Sequence, residues 1–251
     1  MADGICMGGG IGLFAGADFR VVTERSLFAM PEVTIGLYPD VGASWFLSRM
    51  PGRLGLWLGL TGARFNGADA LGLGLADHAM ASRERAELLP RLATLDWAAK
   101  EDPREQIDTL LDGLHAEARE WLPAPVILPH QARIHALLAG RSLQGVLDRL
   151  DRAELDEPDL ARARDTCRTG SPISRAILWR QYWTARRQSL AEVFADELAL
   201  SVNCVLKGDF VEGVRALLID KDKSPRWQPP RHGADWLDDF YRWPEGKNPL
   251  A

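Results

Sequence analysis

The sequence predicts an α/β protein: a glycine-rich first part of short strands and small helices, then a longer part that is helical. Two observations set the class. Residues 1–80 mix frequent glycine with apolar runs of three or four residues, the length of a short buried strand. Residues 81–251 instead repeat apolar side chains at helical spacing. A third observation marks a place where backbone can meet a ligand. Gly8, Gly9 and Gly10 stand together directly before an apolar segment, so a helix starting there presents N–H groups with no Cβ in the way.

The elements follow in order. Residues 10–16 read as a helix of small residues that begins at the glycine triplet and ends at Gly16, with "AGAD" as helix end and turn. "FRVV" (residues 19–22) and "LFAM" (residues 27–30) read as buried strands, separated by the polar turn Thr23, Glu24, Arg25 and Ser26. "DVGASWFLSRM" and "RLGLWLGLTG" read as helices divided at Pro51 and Gly52, and "LGLADHAM" ends in a short strand. In the second part, "ASRERAELLPRLATLDW" and "REQIDTLLDGLHAEAR" are helical, the latter with Ile107, Leu110, Leu111 and Leu114 on one face. "WLPAPVILPH" holds three prolines and predicts an extended connection. "SLAEVFADELALSVNCVL" is a helix with a Ser189/Glu192 capping box. Its expected buried stripe is Phe194, Leu198, Ser201, Val202 and Val205, and Gly208 stops it. "DFVEGVRALLID" repeats the capping pattern with Asp209 and Glu212, placing Phe210, Val214, Leu217 and Leu218 on one side.

Composition narrows the function classes. At 251 residues, 46% hydrophobic and 26% charged, the chain has an ordinary globular make-up. A net charge of −5 without a basic run argues against a nucleic-acid surface. No stretch is long and apolar enough to cross a bilayer as a helix, and the absence of a basic, apolar leader favours a cytoplasmic location. The three cysteines lie far apart and fit free thiols, and the five histidines, His78, His115, His130, His135 and His232, show no metal-ligand spacing. No G-x-S-x-G elbow is present.

Two carboxylates remain. In "FAMPEVTIGLYPDVG", Glu32 follows a strand and Pro31, and Asp40 follows Pro39 in a second turn. They are the only charged residues between Ser26 and Arg49, so burial is expected to raise their pKa values, as acid–base work requires. The plainer alternative makes Glu32 a turn cap and Asp40 the N-cap of a helix at Val41. A third pattern, Gly10-Ile11-Gly12-Leu13-Phe14-Ala15, matches G-x-G-x-x-A, but Met30 rather than an acid ends the following strand, against a dinucleotide site.

Taken together, "DGICMGGGIGL", "FAMPEVTIGLYPDVGASWFLSR", "LTGARFNGADALGLGLADH", "SPIS" and "GDFVEGVRALLIDKDKSPRW" resemble the crotonase (enoyl-CoA hydratase/isomerase) superfamily. Within it they are most similar to the subgroup that hydrolyses 3-hydroxyisobutyryl-CoA in valine breakdown. The resemblance implies a spiral of ββα turns with a helical C-terminal half and an acyl-CoA substrate. It implies no other cofactor or metal, and a possible homo-oligomer. It makes the Gly9 N–H an oxyanion donor and Glu32 and Asp40 the catalytic, substrate-binding pair. Hydratases of the superfamily carry a second glutamate where this chain has Gly12, whereas the hydrolases carry an aspartate at the position of Asp40. The resemblance also implies about a third of a typical member ahead of the glycine triplet, with further strands and a second oxyanion donor. On that expectation the sequence is N-terminally incomplete. Its alternatives are then an enoyl-CoA hydratase/isomerase or an inactive remnant that assembles with a full-length paralogue. The expected organisation is a partial core over residues 1–80 and a helical region over 81–251.

Overall fold

A computed structural model describes residues 1–98, 102–118, 120–229, 235–244 and 246–250. His232 and Arg119, the last residue of the "REQIDTLLDGLHAEAR" helix, lie outside the described residues. The chain divides into two compact units that cut across the boundary expected at residue 80. The first comprises residues 1–28 and 65–129, the second residues 29–64 and 130–251. The reason is pairing. The strands near the N-terminus find their partners after residue 65, while the segment between them packs with the C-terminal helices.

In the first unit, β1 (Ile5–Met7) runs through Gly8 into α1 (Gly9–Ala15), close to the expected start of that helix. Strands β2 (Val21–Val22) and β3 (Leu27–Ala29) flank the expected turn. Sequence reading had no strand at β4 (Phe65–Asn66), which pairs antiparallel with β3, so that the sheet order is β1-β3-β4. A second sheet pairs β2 in parallel with β5 (His78–Ala79). Between β4 and β5, α4 (Gly67–Gly72) begins on an Asn66/Asp69 capping box. The Asp69 carboxylate, fully buried, also accepts the N–H groups of Val126, Ile127 and Leu128 at 2.9–3.0 Å. That fixes the proline-bearing connection, which is irregular, with bends at Leu122, Val126 and Ile127, rather than extended, and ends in a 3₁₀ turn at Leu128–His130. Two helices follow β5: α5 (Arg85–Ala93) and α6 (Pro103–Ala118). The expected face of α6 supplies Leu111 and Leu114 to a core with Val21 and Met80.

The second unit holds α2 (Ala43–Leu47), α3 (Leu54–Thr61), α7 (Gln131–Leu137), α8 (Leu143–Arg152), α9 (Pro158–Thr169), α10 (Pro172–Thr184), α11 (Leu190–Lys207), α12 (Phe210–Val214) and α13 (Asp235–Tyr241). Every residue of α3 is buried, because α2, α7, α9 and α10 surround it. Its glycines permit the approach: a Cβ on Gly55 would lie 1.8 Å from the Leu47 carbonyl oxygen.

Two expectations in this unit are corrected. The capping box of α11 forms, but its buried face is Val193, Glu197, Leu200, Asn203 and Cys204, one position away from the expected stripe. Phe194 and Val205 of that stripe are 40% and 47% exposed. The Asp209/Glu212 box does not form. Asp209 instead accepts the Ser171 hydroxyl at 2.7 Å and the Gln228 N–H at 3.0 Å, and Glu212 is drawn to Arg215 at 2.8 Å. After α12 the chain widens into a π-helical turn, Arg215–Ile219, and Leu218 is exposed there.

Candidate active site

Gly9 is the first residue of α1, so its N–H has no carbonyl behind it within the helix. Gly8 enters the turn at φ 53°, ψ −125°, a conformation glycine adopts without a Cβ clash. A Cβ on Gly9 would meet nothing within 4 Å, so packing does not demand glycine there. What glycine preserves is open backbone. Gly10, Gly12 and Ala15 all lie inside the helix rather than in a phosphate-cradling turn, which removes the dinucleotide reading.

Glu32 opens a single 3₁₀ turn, Glu32–Ile35, set off by Pro31 and closed by Gly36 at φ 74°. The C-terminal helices hold this turn by close backbone approach. Ser171 donates its N–H to the Val33 carbonyl at 3.0 Å, and a Cβ on Gly170 would stand 2.6 Å from Val33 Cγ2. On the other side, a Cβ on Gly213 would fall 2.0 Å from the Ile35 carbonyl oxygen. The "SPIS" and "GDFVEG" stretches therefore act as the clamp on the Glu32 turn. Ser171 and Asp209 tie the two stretches together.

Glu32 itself is 7% exposed, and its Oε2 is buried with no hydrogen-bond partner among the described residues. Burial pushes its pKa up to about 8, with the nearby Asp40 charge adding to the shift and a bond to its own backbone opposing it. No side-chain cap bond is made at the start of the turn, so Glu32 is not the cap that the plainer alternative required. Asp40 is half-buried, and burial raises its pKa as well. It is not an N-cap either: α2 starts at Ala43, with Gly42 as N-cap and no side-chain cap bond. The reason is local. Val41 at φ 57° and Gly42 at φ 80° both take left-handed conformations, which postpones the helix. For a β-branched residue such as Val41 that costs roughly 1–3 kcal/mol, so the conformation persists only because the surroundings impose it.

Sequence reading missed a third carboxylate. Glu197 on α11 is 4% exposed and accepts the N–H of Gly42 at 2.7 Å and of Ser44 at 3.3 Å. Burial, with a smaller contribution from the Asp40 charge, raises its pKa to about 7 against those two donors. The Tyr38 hydroxyl donates to the Glu197 carbonyl at 2.7 Å and lies 2.8 Å from Ser201 Oγ. The available signal was an acid set among apolar residues in mid-helix, in "VFADELALSVNC". Glu32, Asp40 and Glu197 thus form one acidic cluster in the second unit, while Gly9 belongs to the first. A separate cavity of about 700 Å³, lined by Arg141, Trp183, Thr184, Arg186, Arg187 and Gln188, includes none of them.

A buried carboxylate of raised pKa is suited to general acid–base work. A family model for enoyl-CoA hydratase/isomerase matches residues 1–235, and the chain belongs to that family, within the crotonase superfamily. It is 37% identical over 254 residues to the mitochondrial 3-hydroxyisobutyryl-CoA hydrolase of Gallus gallus, covering 100% of this chain and 64% of the relative. To the Xenopus tropicalis protein of the same description it is 40% identical, covering 96% of this chain and 62% of the relative. Among solved structures, a carnitinyl-CoA dehydratase from Mycobacterium thermoresistibile is 32% identical with a TM-score of 0.79, covering 96% of this chain and 66% of that one. An enoyl-CoA hydratase from Rhodobacter sphaeroides 2.4.1 is 32% identical with a TM-score of 0.77, covering 95% and 66%. The fold is therefore of crotonase type, and the chain spans less than two thirds of the length of these relatives.

Proposed function

We propose that this chain carries the catalytic carboxylates of an acyl-CoA thioester hydrolase acting on 3-hydroxyisobutyryl-CoA, or a related 3-hydroxyacyl-CoA, in valine breakdown. The observation that carries the reading is the buried Glu32 with Asp40 as its acidic neighbour, and Gly12 rather than glutamate after the glycine triplet. Two curated hydrolases support it by similarity over nearly the whole chain. In this reading the Glu32 carboxylate either attacks the thioester carbonyl, expelling CoA as thiolate before water cleaves the acyl-enzyme, or takes a proton from a water that attacks directly. Both routes consume one water and release the free acid and CoA. Asp40 orients the 3-hydroxyl or the water, and the Gly9 N–H stabilises the oxyanion. The substrate brings its own CoA, so the reading calls for no further cofactor.

The competing reading is hydration of an enoyl-CoA, which the names of the two solved structures favour. Two forms decide between them: the 251-residue chain, and an extended chain with the N-terminal third of a curated hydrolase relative ahead of Met1. The extended chain should release free CoA from 3-hydroxyisobutyryl-CoA and add water to crotonyl-CoA poorly or not at all. Faster hydration than hydrolysis under the same conditions overturns the proposal. The 251-residue chain alone should show little thioesterase activity.

A further inference from the structure

We propose that Glu197 is a positioning residue for Asp40: its carboxylate, by accepting the N–H groups of Gly42 and Ser44, holds the turn that sets where the Asp40 side chain stands. The inference rests on the reading of Asp40 as the group that handles the substrate hydroxyl or the water.

Three observations converge on Glu197. Its backbone and side chain bracket Asp40, with the Tyr38 hydroxyl bound to its carbonyl at 2.7 Å on one side and the Gly42 N–H to its Oε2 at 2.7 Å on the other. The bracketed turn is one the chain does not adopt by itself, since Val41 and Gly42 are left-handed in succession at φ 57° and φ 80°. And among the described residues no other residue donates a hydrogen bond to the Asp40 carboxylate, so its location depends on the backbone that carries it. A purely structural acid in this place would be a poor choice. Glu197 is buried with no basic partner among the described residues, which is costly for a carboxylate unless its hydrogen bonds accomplish something an apolar side chain could not. Here they satisfy the N–H groups of the first turn of α2, where no side-chain cap does so.

The direct test is Glu197→Gln, which keeps the shape but turns one accepting oxygen into a donor facing an N–H. Amide exchange, followed in the 251-residue and the extended chain, should quicken at Gly42 about tenfold or more. It should stay unchanged at Ser171, whose N–H closes the Glu32 turn. In the extended chain kcat for 3-hydroxyisobutyryl-CoA should drop about tenfold with little change in KM. In an Asp40→Asn background the same substitution should cost nothing further. Unchanged exchange at Gly42, equal acceleration at Gly42 and Ser171, or full additivity with Asp40→Asn each overturns the inference. Quickened exchange at Gly42 in a parent without thioesterase activity would sink the proposed function and leave the hold of Glu197 on the turn standing.

Discussion

Replacing Glu32 by Gln should make the protein more stable as the pH rises while removing its catalysis. Folded Glu32 keeps its proton up to about pH 8, whereas the unfolded carboxyl loses it near 4.5. Between those values the folded chain binds the extra proton, so stability is fully present below about 4.5 and is lost as pH climbs through about 8. At 1.36 kcal/mol per pKa unit, the loss from this one group amounts to about 3 kcal/mol at pH 7 and nearly 5 kcal/mol above pH 8. The glutamine side chain carries no charge at any pH, so the variant should lack that slope. The buried Oε2 has no hydrogen-bond partner to lose, and any constant cost of burying an amide there would shift the whole curve without tilting it. The measurement is denaturant unfolding of both proteins at pH 5, 7 and 9. The gap between variant and wild type should widen by several kcal/mol toward alkaline pH, or about 2–4 °C in Tm for each kcal/mol. The raised pKa values of Asp40 and Glu197 leave a residual slope of the same sign in both proteins. Parallel stability curves would refute the argument, because they would mean that folded Glu32 titrates like a solvated carboxyl.

Other outcomes follow from the same geometry. Asp40→Asn should lower kcat and weaken discrimination between 3-hydroxyisobutyryl-CoA and isobutyryl-CoA, read as the ratio of kcat/KM. Gly9→Ala should leave the melting curve within about 1 kcal/mol, since its Cβ meets only open space, yet reduce turnover if a ligand must approach that backbone. Gly213→Ala should destabilise by about 1–3 kcal/mol or more, and lower kcat as well, because its Cβ would fall 2.0 Å from the Ile35 carbonyl oxygen in the Glu32 turn. Wild-type activity in that variant would show that the clamp does not govern the site.

Much of the fold was readable from local pattern, and so was the burial of Glu32 and Asp40. Short strands at "FRVV" and "LFAM" are bounded by polar turns, and the carboxylates sit in a stretch with no other charge to solvate it. What escaped depended on distant partners. On α11 apolar residues occupy several faces, so periodicity alone could not choose between Phe194 and Val193, and the Glu197 face was passed over. The Asp209/Glu212 spacing is that of a capping box, but Ser171 and Gln228 offer Asp209 better partners. The division at residue 80 failed because α6 packs on β5 and so joins the N-terminal strands, while α2 and α3 pack with the C-terminal helices, contacts that no local pattern announces.

The ties from Glu197 to Gly42 and Ser44 span 155 and 153 positions of sequence. A ribosome adding about 5–20 residues per second would need roughly eight to thirty seconds to make the distance between them. For that interval the Asp40 turn lacks its hold, and α3, buried on every side in the finished protein, lacks the covers that α9 and α10 provide. The nascent chain therefore passes through an interval with an apolar helix incompletely covered, the stage at which exposed apolar surface is most prone to aggregate.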